Sequence, residues 1–288
     1  MVFLFRFLAG LPLPLLHNLG ALAGWLVYLA SPTYRRHLRE NTAQAGQGAA
    51  RRAAIAEAGK SLFELPKIWL RTQSEVVERV ARVSGWDLVT AAWRDNRGIL
   101  FLTPHLGCFE IAAQYYAEQM PITVLYRPPR QSWLRQLIER GRGANLRLAP
   151  ANNSGVRLLM KALRRREAAG ILPDQVPGLG EGIWTPFFGR PAYTMTLAAR
   201  LAEGGSTVLM AYAERLAYGA GYHLHLHALS APLKGTLAER VAQLNRELEA
   251  LVRECPEQYL WGYNRYKAPA GNPAPADGSR PGDVGVAS

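Results

Sequence analysis

Cysteine is scarce in this chain, with only two residues in 288. Cys108 and Cys255 are too few for a disulfide framework and lack the paired spacing of a structural zinc site, so a reducing compartment is expected. Acidic side chains are also few: 22 stand against 34 lysines and arginines, which gives a formal net charge of +12. That surplus favours a partner rich in phosphate or carboxylate, such as nucleic acid, anionic lipid or an acidic carrier protein.

A long unbroken apolar run is missing as well, although residues 7–30 contain no formally charged side chain. A membrane-spanning helix needs about 20 apolar residues. Two prolines, a histidine and an asparagine interrupt this stretch and leave only residues 19–30 uninterrupted. Residues 1–40 are therefore expected to meet or lie on a bilayer. Whether they span it is left open, and the alternative is a buried helical hairpin.

A cleaved signal peptide is not indicated, because the start is weakly basic and no clear small-residue cleavage site follows the apolar stretch. Arg35, Arg36 and Arg39 follow it instead. By the positive-inside tendency, the rest of the protein is expected on the cytoplasmic side.

Strand and helix patterns alternate through the middle of the chain. Residues 98–103 form a short, wholly apolar run typical of a buried strand, and a helix rich in alanine and tyrosine follows. The alternation predicts an α/β fold, a mixed central sheet flanked by helices. Further helices are predicted at 43–70, 132–140, 154–168 and 237–253, and Pro66 is expected to kink or end the first of them. Further strands are predicted at 122–126, at 170–172, and at 207–212 and 222–229 as an antiparallel hairpin.

Three parts of the chain are expected to differ in character. Residues 1–40 form the membrane-associated helical segment, and residues 41–267 form one catalytic domain. Residues 268–288 are proline, glycine, alanine and polar side chains with few large apolar groups, so this tail is expected to be disordered. No internal repeat is present.

The sharpest motif is a histidine five positions before a glutamate, His105 and Glu110, where the predicted buried strand gives way to a helix. Along one continuous helix the two side chains would point apart, because five residues turn about 500°. If His105 lies on a turn and Gly107 allows the bend, Glu110 in the first helical turn can reach the imidazole. Such a pair suits a general base and its orienting carboxylate. The alternative is that both side chains satisfy local backbone groups.

This motif and several others, in the same order, resemble the bacterial lipid A biosynthesis (lauroyl/myristoyl) acyltransferases, within the lysophospholipid and glycerophosphate acyltransferase superfamily. The resemblance covers residues 1–267 and includes YRP at 126–128, GR at 141–142, LPDQ at 172–175, PFFG at 186–189 and PEQYLW at 256–261. It implies a glycerolipid acyltransferase-like fold at the cytoplasmic face of the bacterial inner membrane. It also implies acyl transfer from acyl carrier protein, or coenzyme A, to a hydroxyl of a lipid A precursor, without metal or redox cofactor.

Eight residues are assigned to the site by position in these motifs. A guanidinium such as that of Arg142 offers forked donors to a phosphate or oxyanion, although a solvated surface arginine is the alternative. Asp174 can orient the acceptor or a basic side chain, or be an ordinary turn residue. The catalytic assignments are His105 as base, Glu110 as its partner, Arg142 and Asp174; the substrate-binding assignments are Arg127, Gln175, Arg265 and Lys267.

One departure from the family concerns the acceptor. After the tryptophan the family has a His-Arg-Arg core, whereas residues 262–267 here read GYNRYK. Another glycolipid, an amino-acid lipid or a polyketide-like acceptor therefore stays open. Two other classes also remain: a non-catalytic lipid- or carrier-protein-binding module, and a hydrolase of acyl thioesters.

Other polar and basic groups have simpler interpretations. Three alternating histidines share one strand face and can bind zinc or copper, but no Cys or Asp completes the site, so a solvated face is preferred. Cys108 is expected to fill space beneath the turn. A basic run in the helix at 154–168 suits an acidic carrier protein or lipid phosphates, the alternative being a solvated face. Nucleic acid is disfavoured, because the charge is spread along the chain without a binding module. The histidines are His223, His225 and His227, and the basic run is Arg157, Lys161, Arg164, Arg165 and Arg166.

Overall fold

The computed structural model describes residues 2–129, 131–140 and 145–275. Helices and strands alternate along most of that length, as the hydrophobic pattern predicts. The helices are α1 (Val2–Gly10), α2 (Leu13–Ala30), α3 (Pro32–Gln44), α4 (Arg51–Leu70), α5 (Gln73–Val77), α6 (Trp86–Arg94), α7 (Phe109–Gln119), α8 (Ser132–Arg140), α9 (Asn153–Arg164), α10 (Leu197–Ala202) and α11 (Leu237–Glu254). The strands are β1 (Val80–Ser84), β2 (Ile99–Leu102), β3 (Ile122–Tyr126), β4 (Leu146–Pro150), β5 (Ala168–Ile171), β6 (Gly182–Phe187), β7 (Arg190–Met195), β8 (Thr207–Arg215) and β9 (Tyr222–Ala228).

Seven of these strands form one mixed sheet in the order β1-β9-β8-β2-β5-β3-β4. The five strands from β8 to β4 are parallel, and β9 is antiparallel to β8. Every residue of β2 and β5 is buried, because helices cover both faces of the sheet at its centre. The predicted mixed sheet and the predicted β8–β9 hairpin are both confirmed.

Two apolar cores separate the helices into layers. One core joins α9, α10 and α11 to one face of the sheet, and the other joins α6 and α7 to the opposite face. The hairpin β6–β7 lies outside the main sheet and was not predicted from the sequence. Phe188 and Gly189 form its two-residue turn with φ angles of 47° and 75°, the geometry that matches the twist of a tight hairpin.

Several predicted boundaries differ from the structure. The helix predicted at 43–70 begins only at Arg51, and it continues through Pro66 to Leu70. The helix predicted at 154–168 ends at Arg164, because β5 already begins at Ala168. Residues 268–275 contain no helix or strand, and the rest of the tail lies outside the described residues.

The amino-terminal helices pack tightly on the rest of the protein. The backbones of α2 and α4 are in contact at glycines: a Cβ on Gly24 would lie 2.2 Å from the Ile55 carbonyl oxygen, and one on Gly59 would lie 1.9 Å from that of Gly20. The helix α3 runs unbroken through the boundary expected at residue 40. In the described residues α2 is the one helix long and apolar enough to cross a membrane, but one of its faces is occupied by α4.

A buried charge cluster joins α2 and α4 to the end of β8. The guanidinium of Arg215 donates to both carboxylate oxygens of Glu64 at 2.9 and 3.0 Å, and Tyr222 and His17 also contact Glu64 at 3.0 and 3.2 Å. Burial alone would raise the pKa of Glu64, but Arg215 and His17 together hold it below its usual value. The carboxylate therefore stays charged inside the protein.

Replacing Glu64 with glutamine should cost about 3 kcal/mol of stability at neutral pH, because it removes one of the two carboxylates that pair with the buried Arg215 guanidinium and leaves Glu57, at 2.7 Å, as the other. Urea unfolding of the wild type and variant measures this. Since the folded-state pKa is lowered, the contribution of Glu64 is present above its unfolded pKa and lost as the pH falls through its folded pKa, so the difference should shrink in acid. The exposed Glu118→Gln should change stability by less than about 0.5 kcal/mol. Equal effects of the two substitutions would contradict the assignment.

Candidate active site

Three of the predicted site residues lie at one edge of the sheet. Because β2, β3 and β5 are parallel, their carboxyl ends meet at the same edge. His105 follows β2, Arg127 follows β3, and Asp174 follows β5. Sites in α/β sheets form at this edge, where the loops that leave neighbouring strands come together.

His105 lies on a tight turn, as the sequence predicts. Gly107 has a φ of +61°, and a Cβ there would lie 2.0 Å from the carbonyl oxygen of Ala213. Backbone hydrogen bonds hold the turn on both sides: the Cys108 N–H donates to Ala213 at 2.8 Å, and the Leu260 N–H donates to the His105 carbonyl at 3.1 Å. The histidine is therefore positioned by the end of β8 and by the segment that follows α11.

Both nitrogens of the His105 ring have partners. Nδ1 lies 2.8 Å from Oδ1 of Asp174, while the His105 backbone N–H donates to Oδ2 at 2.9 Å. Nε2 lies 3.1 Å from the amide nitrogen of Gln175. Since an amide nitrogen only donates and a carboxylate only accepts, these contacts correspond to the tautomer with its proton on Nδ1 and a lone pair on Nε2. That is the form of imidazole that accepts a proton.

Glu110 was predicted to contact the His105 imidazole, and the structure places a different carboxylate at Nδ1. Glu110 does lie in the first turn of α7, but the carboxylate at Nδ1 of His105 belongs to Asp174, 69 positions along the chain. The physical reason is the pairing of β2 with β5, which brings the loops after these strands together. Asp174 therefore fills the position that the sequence analysis gave to Glu110.

Asp174 is buried, with 3% of its surface exposed. Burial alone would raise the pKa of its carboxyl group, but His105 and, more weakly, Arg265 hold the pKa below its usual value. The phenol of Tyr259 lies beside the same carboxylate, and burial together with that charge raises the pKa of the phenol. Tyr259 stands inside the PEQYLW motif but was given no role from the sequence.

Arg265 was assigned to substrate binding, and the structure instead buries it, with 3% exposed. Its guanidinium donates to the Tyr193 carbonyl at 2.9 Å and the Thr194 hydroxyl at 2.7 Å. The segment after α11 folds beneath the site, so the side chain points into the protein. From there Arg265 acts on the site through the charge it places near Asp174.

The remaining assigned residues have different surroundings. Arg127 is exposed at the carboxyl end of β3. Lys267 is exposed and lies over the ring of Tyr263 at 5.5 Å, while the Tyr263 hydroxyl accepts from the Val176 N–H at 3.0 Å. The segment that departs from the family pattern thus contacts the loop that carries Gln175. Arg142 lies outside the described residues.

An apolar cavity of about 40 Å³ adjoins the histidine between α7 and the sheet. Thr103 and Phe109 line the part nearest the turn, and the Phe109 ring lies 4.8 Å from that of His105. Phe101, Tyr116 and Val124 line the part farther in. The site therefore places the His105 imidazole next to apolar space.

Cys108 is buried with 2% exposed, and burial raises the pKa of its thiol well above the usual value. A thiolate is the nucleophilic form of cysteine, so Cys108 is poorly suited to accept an acyl group. The prediction that it fills space beneath the turn is confirmed.

The three histidines of β9 share one half-buried face, as predicted, while Leu224 and Leu226 face the core. The structure adds an acidic neighbour, because Glu214 of β8 pairs with His223 in the sheet. Ligand atoms of Glu214, His223 and His225 lie within 4.8 Å of one another, the one such group in the described part of the chain. Hydrogen bonds already account for these side chains: His225 contacts Glu214 at 3.1 Å, and Ser84 contacts His223 at 2.8 Å.

The fold places a histidine, in contact with a buried carboxylate, at the carboxyl edge of a mixed α/β sheet. Residues 1–268 match the family described as bacterial lipid A biosynthesis acyltransferases, and the chain belongs to that family.

The chain is also similar to individual proteins named as lipid A biosynthesis acyltransferases. The chain is 28% identical to the lipid A biosynthesis palmitoleoyltransferase of Escherichia coli K12 over 214 residues, 73% of this chain and 68% of the relative. It is also 28% identical to the lauroyltransferase of the same strain, over 75% of this chain and 71% of the relative. A lipid A biosynthesis acyltransferase of Haemophilus influenzae aligns at 23% identity over 92% of this chain and 88% of its own length.

Proposed function

We propose that this acyltransferase moves a fatty acyl group from an acyl thioester to a hydroxyl of a lipid A precursor. The observation that carries the proposal is the His105 ring, whose Nδ1 contacts the buried Asp174 and whose Nε2 faces Gln175. The acceptor hydroxyl takes the place of the Gln175 amide at Nε2. In that position the imidazole is within reach of the hydroxyl proton.

The proposed reaction needs no metal or redox cofactor, because the thioester supplies the leaving group. His105 takes the hydroxyl proton while the hydroxyl oxygen forms a bond to the thioester carbonyl carbon. The C–S bond then breaks, and the thiolate takes the proton from the imidazolium to leave as a thiol. Asp174 stabilises the imidazolium meanwhile. The N–H groups in the first turn of α7, and Arg142, are the proposed partners of the oxyanion.

The helices at the amino terminus support a place at the membrane. Because His17 of α2 reaches Glu64, and Glu64 binds Arg215 at the carboxyl end of β8, these helices lie at the same edge of the sheet as His105. An acceptor held in the bilayer would meet the site from that side. We place the protein at the cytoplasmic face of the bacterial inner membrane. The outer surface of α2 exposes Leu15, Leu19, Leu22, Leu26, Val27 and Leu29.

Residues 262–267 depart from the family pattern, and this departure bears on which acceptor the enzyme uses. Tyr263 of that segment touches the Gln175 loop, and Lys267 covers Tyr263. Since Gln175 faces the nitrogen that would take the acceptor proton, a change in this segment acts on the acceptor side of the site. A different glycolipid hydroxyl is therefore the second candidate acceptor.

Incubation of the detergent-solubilised protein with labelled acyl carrier protein thioester and a tetra-acylated lipid A precursor tests the function. The lipid should gain the mass of one acyl chain, because the base would direct the acyl group to a hydroxyl. Free fatty acid without an acylated lipid would instead indicate a hydrolase. An intact thioester beside folded protein would point to another acceptor or to a binding module.

The exposed basic face of α9 is the proposed docking surface for acyl carrier protein. Its three basic residues, Arg157, Lys161 and Arg164, are exposed, as are Arg165 and Arg166 directly after it. Arg157 lies nearest the end of α9 that follows β4 and thus nearest the edge that carries His105. Reversing charge with Arg157→Glu and Lys161→Glu should raise KM for acyl carrier protein thioester roughly tenfold at low salt. KM for acyl coenzyme A should change much less. An equal loss with both donors would contradict carrier docking on α9.

A further inference from the structure

A second cavity lies where α1 meets α2, away from the residues assigned to His105 chemistry. It has a volume of about 380 Å³, and the turn at residues 10–14 forms one wall. Lys67 at the end of α4, Arg71 and Arg79 line the opposite side together with Glu75, and Gly219 closes one end. Because the backbone of Arg79 pairs with Tyr222 at the start of β9, this cavity opens on the same edge of the sheet as the active site.

Positive charge in this cavity exceeds negative charge. Three cationic side chains face one carboxylate, and Glu75 already accepts from the N–H and the hydroxyl of Thr72 at 3.0 and 2.9 Å. The nearest distance between the Glu75 carboxylate and the Arg71 guanidinium is 3.6 Å, which is long for an ion pair. Burial, and then the charges of Arg71 and Arg79, lower the pKa of Lys67. An anion placed between these groups would offset that repulsion.

Two of the cations, Lys67 and Arg71, are held in place by the amino-terminal turn. Lys67 Nζ donates to the Ala9 carbonyl at 3.0 Å, and Arg71 Nε donates to the same oxygen at 3.1 Å. These bonds use one donor of each group. The ammonium and the guanidinium each carry further N–H donors, and a phosphate has several oxygens to accept them.

The surroundings of the cavity are those of a protein surface that enters a membrane. On α1, Phe3 is 89% exposed and Phe7 is 65% exposed. Tyr218, next to Gly219, is 96% exposed. Aromatic side chains beside lysine and arginine are typical of the depth at which lipid headgroups lie. The apolar helix surface would sit among acyl chains, with the cations level with the phosphates.

We propose that Lys67, Arg71 and Arg79 bind the phosphate group of an anionic membrane lipid at the turn between α1 and α2. The lipid holds the carboxyl edge of the sheet against the bilayer, so that His105 faces the membrane. This inference rests on the proposed place of the protein at the membrane and does not depend on acyl transfer. It also predicts that α2 lies in the membrane surface, since α4 covers the opposite face of that helix.

Vesicle binding by the full-length chain tests the inference. The His105→Ala protein is used throughout, so that turnover plays no part and a failure of the proposed reaction leaves the binding result unaffected. Vesicles of neutral phospholipid are compared with vesicles that contain an anionic phospholipid. Lys67→Gln with Arg79→Gln should lower partition onto the anionic vesicles about thirtyfold, since each cation near a membrane surface contributes about 1 kcal/mol.

Arg79→Gln alone should lower partition onto the anionic vesicles about fivefold. Because the Arg79 side chain is exposed, this single variant should fold normally and shows whether the loss in the double variant is a folding defect. The matched control is Arg94→Gln with Arg200→Gln, which removes the same charge at exposed positions before β2 and β8, on the opposite edge. Equal losses in the control would overturn the proposal, because net charge alone would then explain binding. The proposal would also be overturned if the protein bound inorganic phosphate tightly and the double variant lost that binding while its vesicle binding was unchanged. The pocket would then be a site for free phosphate.

Discussion

Replacing His105 with alanine is expected to lower the rate of acyl transfer by about 10²- to 10⁴-fold, the usual contribution of a positioned acid–base group. The loss should appear in kcat, because the imidazole acts on the hydroxyl proton during the reaction. The side chain is 15% exposed, and its two ring nitrogens contact Asp174 and Gln175. Its removal should therefore leave the fold intact. Mass analysis of the acylated lipid, with varied acceptor, measures kcat and KM.

The control for this variant is His37→Ala, at a half-exposed position on α3. It should retain full activity, since α3 contributes no group to the His105 turn. Unfolding midpoints of both variants check that a loss of rate is not a loss of protein. Undiminished transfer by His105→Ala would exclude His105 as the base. Asp174 would then have no catalytic base to orient.

Local pattern was enough to predict much of the fold. The wholly apolar run that became β2 is recognisable because a parallel strand covered on both faces has no polar side. The turn at Gly107 could also be predicted, since the sequence changes from a strand pattern to a helix pattern within a few residues. By contrast, β1 has an exposed and irregular burial pattern, and it belongs to the sheet only through its pairing with β9. Nothing in its own sequence marks it as a strand.

The partners of the site residues were harder to predict than the residues themselves. His105 and Asp174 were both named, but their contact depends on β2 pairing with β5. Sequence spacing ranks near neighbours first and so favoured Glu110, five positions away. Arg265 was misplaced for a related reason. A basic side chain in a polar segment is usually exposed, and only the packing of that segment against β7 carries it inside.

The cluster around Glu64 could not be predicted from the sequence either. Its members come from α2, α4, β8 and β9, and no two of them form a recognisable motif. From the sequence, residues 1–40 were expected to be a membrane-associated helical segment distinct from the catalytic domain. The structure instead ties them to the edge of the sheet that carries the site, which is why membrane position and catalysis are proposed to be linked.

The second large effect is expected from Asp174→Asn, which should lower kcat by about 10²- to 10⁴-fold although the side chain keeps its shape. The single asparagine oxygen can accept from one of the two His105 N–H groups, and its NH₂ group, a donor, then faces the other. The turn should persist, because the Cys108 and Leu260 backbone hydrogen bonds also hold it. What is lost is the negative charge beside the protonated imidazole. Because the carboxyl pKa is held below its usual value by His105 and Arg265 despite burial, Asp174 is charged at neutral pH.

Comparing Asp174→Asn with Glu110→Gln separates the structural assignment from the one that spacing suggested. In Asp174→Asn the acid limb of the pH–rate profile should move to lower pH, since the imidazolium no longer has an anion at Nδ1. In Glu110→Gln the profile should keep its position, whatever the change in rate, because Nδ1 still faces Asp174. A profile that moves with Glu110→Gln and stays fixed with Asp174→Asn would return the orienting role to Glu110. The contact seen between His105 and Asp174 would then be one that rearranges before the acyl group is transferred.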